Sequence, residues 1–149
     1  KTHSRETPIR IKERIIESDL IYLTGGVPTV LVERLKKSGI RILLRDFKGI
    51  IVGRSAGALA LCRKCIVTCR RTSEIKIIYG LGLVDLTLKA HYKFGKDEML
   101  VGLSKTEDVF AVPKDSAIVY DNGKLSFINN VYLFCNGERQ TVSEKSLEP

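Results

Sequence analysis

Ile50 to Ala60 reads IIVGRSAGALA. Its branched apolar start predicts a buried strand, Gly-Arg-Ser-Ala-Gly a sharp turn, and the alanine- and leucine-rich run beyond it a helix. A small-x-Ser-x-small turn between strand and helix is the layout of a nucleophile elbow. Gly53 and Gly57 relieve crowding in a strained backbone, and the Ser55 hydroxyl stands exposed at the carboxyl end of the strand. The turn also aims the Ala56 N–H at the front of the helix, where a developing oxyanion can be held. The competing reading is a tight connection with an incidental serine.

Upstream, Pro8 to Glu17 reads as a helix with Thr7 as N-cap and Pro8 at its first position. Asp19 to Thr24 is nearly all apolar, as a strand covered on both sides should be. Gly25 and Gly26 end it, Pro28 opens a second helix through Leu35, and Ser38-Gly39 terminates that helix. A short helical segment over Ile40 to Phe47 leads to the strand at Ile50. Strand, glycine turn and helix thus occur twice, the rhythm of an α/β fold with parallel strands. In such sheets the crevice forms outside the carboxyl ends of the strands, which predicts Gly25-Gly26 and Ser55 in one place.

Downstream, Ile75 to Tyr79 and Val109 to Val112 read as strands and Asp97 to Thr106 as a short helix. From Ser116 to Phe134, turns at Asp121-Asn122-Gly123 and Asn129-Asn130 separate SAIVY, KLSFI and VYLFC, which predicts hairpins at the sheet's edge. Neither a repeat nor a clear linker interrupts the chain, and residues 1–149 are expected to form one α/β domain.

A chain of 149 residues, 44% of them hydrophobic, suffices for one domain with a real core. No apolar run approaches the roughly 20 residues of a membrane helix, and KTHSRETPIR lacks the apolar stretch of a secretory signal. A cytoplasmic protein without a membrane partner is expected. The net charge of +8 attracts anions at low salt. Its basic residues are dispersed, however, without the interleaved aromatics that stack bases, and no specific nucleic-acid partner is expected. Cys62, Cys65 and Cys69 form C-x2-C-x3-C, but Cys135 is the one other thiol and no histidine lies nearby. Free thiols partly buried behind the elbow helix are the expectation, with no metal and no cofactor.

A serine hydroxyl is a poor nucleophile until a base takes its proton, and histidine is the usual base. The chain has two, His3 and His91, and His3 lies in a terminal segment expected to be mobile. His91 is the candidate base. If the acid precedes the histidine in the chain, Glu74 or Asp85 are its candidates. If it follows, Asp97, Glu98, Glu107, Asp108 and Asp115 are.

DLIYLTGG (19–26), GIIVGRSAGALAL (49–61), GLGLVDLTLKAHYKF (80–94) and AVPKDSAIVYDNGKLSF (111–127) together resemble the dipeptidase E and cyanophycinase family of serine peptidases, in order and at similar spacing from Ile9 to about Gly137. The resemblance implies a class I glutamine amidotransferase-like, flavodoxin-like fold: a three-layer α/β sandwich on a mostly parallel central sheet, with hairpins near the C-terminus. It implies Ser55 as nucleophile, His91 as general base, and the N–H groups of Gly26 and Ala56 as oxyanion hole. The implied reaction is hydrolysis of short peptides, among them dipeptides with an acidic first residue, through an acyl-enzyme.

Three features depart from the family pattern. Val27 stands where the family carries Asn or Asp, and Lys114 where several members carry a triad glutamate. A lysine cannot accept the imidazole N–H, so Asp115 or, alternatively, Glu74 must substitute. The family has one or two more strands ahead of the first helix, which implies an amino-terminally shortened sheet with apolar surface that self-association would cover. A family relative with a broken triad, kept for binding or assembly, is the alternative function.

Overall fold

Every strand–turn–helix step around the elbow forms as the sequence predicts. The structure is a computed structural model, and it describes residues 8–68, 74–95 and 97–143. Thr7 and His3 lie outside these residues. Helix α1 (Pro8–Ile16) leads to β1 (Leu20–Leu23), then α2 (Pro28–Lys37) and α3 (Ile40–Asp46) lead to β2 (Ile50–Gly53). Pro28 supplies a fixed φ at the start of α2, and Gly39 turns the chain into α3 at φ 69°. Strands β1 and β2 pair in parallel, with Leu23 opposite Gly53, so both glycine turns leave the same edge.

Past β2, the elbow helix α4 (Ala56–Leu61) runs directly into β3 (Cys62–Thr68). There follow β4 (Ile75–Tyr79), β5 (Val84–Ala90), α5 (Glu98–Leu103), β6 (Val109–Val112), β7 (Ala117–Asp121), β8 (Lys124–Ile128), β9 (Val131–Cys135) and β10 (Glu138–Val142). The largest sheet has the order β10-β9-β6-β5-β3-β4. Strands β3, β5 and β6 are mutually parallel at its centre, whereas β4, β9 and β10 join antiparallel.

The expected mostly parallel sheet is therefore a mixed one. The two-residue Asn136-Gly137 turn allows β10 only an antiparallel place beside β9, whereas β9 returns antiparallel to β6 after the intervening β7–β8 hairpin. Asn136-Gly137 joins β9 to β10 and Asn122-Gly123 joins β7 to β8, each with both residues at positive φ, as tight primed turns require. The hairpin β7–β8 stands as its own two-stranded sheet. KLSFI and VYLFC are not hairpin partners, because β9 crosses over to pair with β6.

Alternation along the central strands sorts the core into two layers. Cys65, Leu88 and Phe110 face the elbow helix through Leu59 and the β7–β8 hairpin through Phe127. Ile66, Val109, Ala111 and Phe134 face the opposite way, against Leu100 of α5 and Tyr92. A third cluster joins Ile21 and Ile51 of the β1–β2 pair to Ile40 and Leu44 of α3, with Ile11 and Ile15 of α1.

Strand β1 is not covered on both sides as its apolar sequence predicts. Leu20 and Tyr22 are exposed, and so are Ile50 and Val52 beside them on β2. Among the described residues only one face of this pair has a packing layer. No described helix is long and apolar enough to cross a membrane.

Candidate active site

The elbow is held from both sides. Arg54 N–H donates to the Leu23 carbonyl at 2.9 Å, Gly57 N–H to the Arg54 carbonyl at 2.9 Å, and Leu59 N–H to the Ser55 carbonyl at 3.0 Å. Ser55 itself sits at φ 54°, ψ −111°, outside the ordinary wells of an L-residue. The flanking glycines are sterically required. A Cβ on Gly57 would lie 2.0 Å from the Leu23 carbonyl oxygen, and one on Gly53 2.7 Å from the Ala58 backbone.

The turn after β1 closes over the serine. A Cβ on Gly25 would stand 3.6 Å from Ser55 Cβ and 3.9 Å from its Oγ. Gly26 follows at φ 150°, and among the described residues its N–H has no hydrogen-bond acceptor. Ala56 N–H belongs to the first turn of α4, where an α-helix leaves its donors without intrahelical partners.

His91 comes from the other sheet, directly after β5. Its backbone is left-handed at φ 55°, and Tyr92 N–H donates to the Val112 carbonyl at 3.0 Å, fixing the turn on β6. Buried Tyr92 anchors the segment. Its ring lies 5.2 Å from Tyr132 and 5.8 Å from Phe134, and its hydroxyl donates to Asp97 Oδ1 at 2.7 Å. Burial pushes the Tyr92 hydroxyl up and the Asp97 bond adds to this, against the opposing Arg139 guanidinium. So held, His91 places Nε2 2.7 Å from Ser55 Oγ. With Nε2 unprotonated, the serine hydroxyl donates to it.

No described carboxylate bonds to the imidazole, and most acid candidates are engaged elsewhere. Asp85 pairs with Arg63 at 2.5 Å, and Asp97 with Arg139 at 2.5 Å. Glu107 is held by Lys64, by Arg63 at 3.3 Å and by the Thr87 hydroxyl at 2.6 Å. Asp108 lies beside the Cys135 thiol and pushes it up. Glu74 pairs with Lys76 at 3.8 Å and opens β4 at the same end of the sheet, two strands from β5. Glu98 is exposed in the first turn of α5.

Asp115 is different. Among the described residues its carboxylate has no partner, while its backbone carbonyl accepts from the Asn129 side chain. It stands at φ 63° in the turn after β6. Ala90 lies opposite Val112, so the turns after β5 and β6 leave the sheet side by side. They enclose a cleft of about 520 Å³, lined on one side by His91, Lys93 and Phe94 and on the other by Lys114 and Asp115, with Asn129 and Tyr132. Asp115 thus shares a cleft with His91 without touching its ring.

Among the described non-glycine residues, positive φ occurs at Asn122, Asn129 and Asn136 and at Ser55, His91 and Asp115. The asparagines are turn formers. Ser55 and His91 are the residues that the sequence reads as nucleophile and base, and Asp115 is one of its acid candidates, although an aspartate tolerates the left-handed region much as the asparagines do.

The cysteines of C-x2-C are buried in β3. Burial, reinforced by Cys65, pushes the Cys62 thiol up to about 12. Burial likewise raises Cys65 to about 11, against the Gly80 backbone and Lys36. Each thiol donates to a carbonyl of α4, Cys62 to Ala58 at 3.4 Å and Cys65 to Leu59 at 2.8 Å. Cys69 lies outside the described residues.

Residues 2–128 match the family model Peptidase family S51. The chain belongs to this peptidase family. Its fold is similar to that of a protein from Listeria monocytogenes EGD-e described as a peptidase E and solved by crystallography at 1.5 Å, with a TM-score of 0.63 at 22% identity. That likeness covers 83% of this S51 chain and 65% of the Listeria chain. The S51 chain is also similar to pyridoxal 5′-phosphate synthase subunit PdxT of Methanospirillum hungatei JF-1, 29% identical over 89 residues. This second match covers 60% of the chain and 41% of PdxT. In both comparisons the chain spans less than two thirds of its relative.

Sequence reasoning missed Lys93, Phe94, Asn129 and Tyr132 as cleft residues. The Asn129-Asn130 turn was visible, but no local signal says that it meets the turn after β5.

Proposed function

We propose that this chain is a serine-type peptidase that hydrolyses short peptides through an acyl-enzyme on Ser55. The observation that carries it is the 2.7 Å contact of Ser55 Oγ with His91 Nε2, made from an elbow at positive φ. His91 Nε2 takes the hydroxyl proton as Oγ attacks the scissile carbonyl carbon. The N–H groups of Gly26 and Ala56 receive the oxyanion. Collapse expels the amine, which leaves with the proton from His91, and a water attacks the acyl-enzyme with His91 again as base. The carboxylic acid product departs and Ser55 regains its proton.

Asp115 serves as the acid in this scheme, since its carboxylate is unpaired and shares the His91 cleft. Family membership supports a peptidase, and dipeptides with an acidic first residue are the proposed substrates. A fluorophosphonate should label Ser55 in the native protein and fail after Ser55→Ala. Absence of labelling, with no turnover across a dipeptide panel, overturns the assignment.

Two observations favour a second role, a catalytically impaired relative used for binding. Lys114 stands where several members carry an acid, and no described carboxylate bonds to His91. Retained fold and ligand binding without labelling at Ser55 would select it.

A further inference from the structure

Phe94 is 62% exposed, yet it is firmly held. The Arg139 guanidinium lies 4.8 Å from its ring centroid, Tyr132 packs edge-on at 5.0 Å, and Tyr92 lies at 5.6 Å. Arg139 is in turn fixed by Asp97 Oδ2 at 2.5 Å. An exposed aromatic surface immobilised in this way has already lost the freedom that a ligand would otherwise have to remove.

The same cleft carries two cations without partners. Lys93 and Lys114 stand on its two turns, both exposed, and neither has an acidic or carbonyl partner among the described residues. Against them stands one carboxylate, Asp115, so the cleft carries net positive charge. Arg139 is neutralised by Asp97 and adds only its flat face.

The position of the cleft decides what enters it. It begins at His91 and does not include Ser55 or the Gly25-Gly26 turn, where the acyl half of a substrate must sit. The proton returned by His91 goes to the leaving amine, so the leaving residue lies on the histidine side.

We propose that this cleft is the leaving-residue subsite: it takes one residue with a free α-carboxylate on Lys114 and Lys93 and an apolar or aromatic side chain on Phe94 and Tyr132. This rests on the assignment of Ser55 and His91 as a peptidase pair. A longer leaving segment would bring a neutral peptide carbonyl to the lysines, so the cleft restricts cleavage to the last peptide bond. Lys114, the residue that removes the family's acid, becomes the determinant of that restriction.

The test compares aspartyl-phenylalanine with its C-terminal amide, and adds binding of L-phenylalanine and L-phenylalaninamide by calorimetry. The free acid should be cleaved with roughly tenfold higher kcat/KM than the amide, the scale of one charge-assisted contact. With Lys93 left in place, Lys114→Met should lower that ratio severalfold, and Lys114→Glu should bring it to one or below. L-phenylalanine should bind and its amide should not. Equal cleavage of acid and amide, or a ratio untouched in both variants, overturns the subsite. If neither dipeptide is cleaved, the peptidase assignment fails on its own. The calorimetry then decides the cleft: binding of L-phenylalanine that Lys114→Met weakens supports it, and no binding overturns it.

Discussion

Ser55 Oγ and His91 Nε2 meet at 2.7 Å from strands that belong to different sheets. Ser55 lies in the turn after β2 of the two-stranded pair, and His91 directly after β5 of the six-stranded sheet. The contact therefore reports on how α4 docks the two sheets as well as on the chemistry of the pair.

Removing either partner should abolish catalysis while leaving the fold. Ser55→Ala and His91→Asn should each lower kcat/KM by roughly 10⁴-fold or more, since triad members act as a unit. Steady-state kinetics with a parallel thermal melt separates this from unfolding.

Gly57→Ala should destabilise the whole domain. The new Cβ would fall 2.0 Å from a backbone carbonyl, that of Leu23, and no rotamer can relieve it. A loss of roughly 3 kcal/mol is expected, at roughly 2–4 °C in Tm for each kcal/mol. Differential scanning calorimetry measures it, and an unchanged Tm would show that β1 and α4 can move apart.

Asp115→Asn should reduce kcat with little change in KM, whereas Glu74→Gln should leave both nearly unchanged, because Glu74 already pairs with Lys76. The reverse pattern would move the acid to the loop before β4.

Glu107 should make the fold acid-sensitive. Burial alone would raise its carboxyl, but hydrogen bonds from Lys64, Thr87 and Arg63 and the charge of Lys64 outweigh it and hold the carboxyl below its usual range. A carboxylate with a lowered folded value stabilises above its unfolded value of about 4.3 and loses that contribution as pH falls through the folded one. Urea melts from pH 7 to pH 3 should show stability declining below about pH 5. Glu107→Gln should lose roughly 2 kcal/mol at pH 7 and decline less steeply in acid.

Cys62 and Cys65 should resist alkylation. With thiols raised to about 12 and about 11, almost no thiolate is present at pH 7.5. Peptide mapping after iodoacetamide should find both unmodified in native protein and modified in urea.

The elements around the elbow were legible because glycine and proline punctuate them sharply. Strand β5 drew no strand assignment, although Val84, Leu86, Leu88 and Ala90 alternate with polar residues along it. Strand β3 was masked by Arg63 and Lys64, whose charges are satisfied only by Asp85 and Glu107 from distant segments. In β10 every residue but Val142 is polar, and its one signal is the Asn136-Gly137 turn. At the site, two histidines in the chain made His91 an easy choice. The acid was not legible, because which carboxylate reaches a ring depends on which loops leave the sheet together.

Helix α4 has six residues and passes into β3 without a connecting loop. One residue added or removed between Gly57 and Cys62 would rotate the elbow by about 100° relative to the strand that follows. Ser55 would then face away from His91 with every side chain in the site unaltered. The aim of the serine is encoded in a count of residues, and this segment should accept changes of kind far more readily than changes of length.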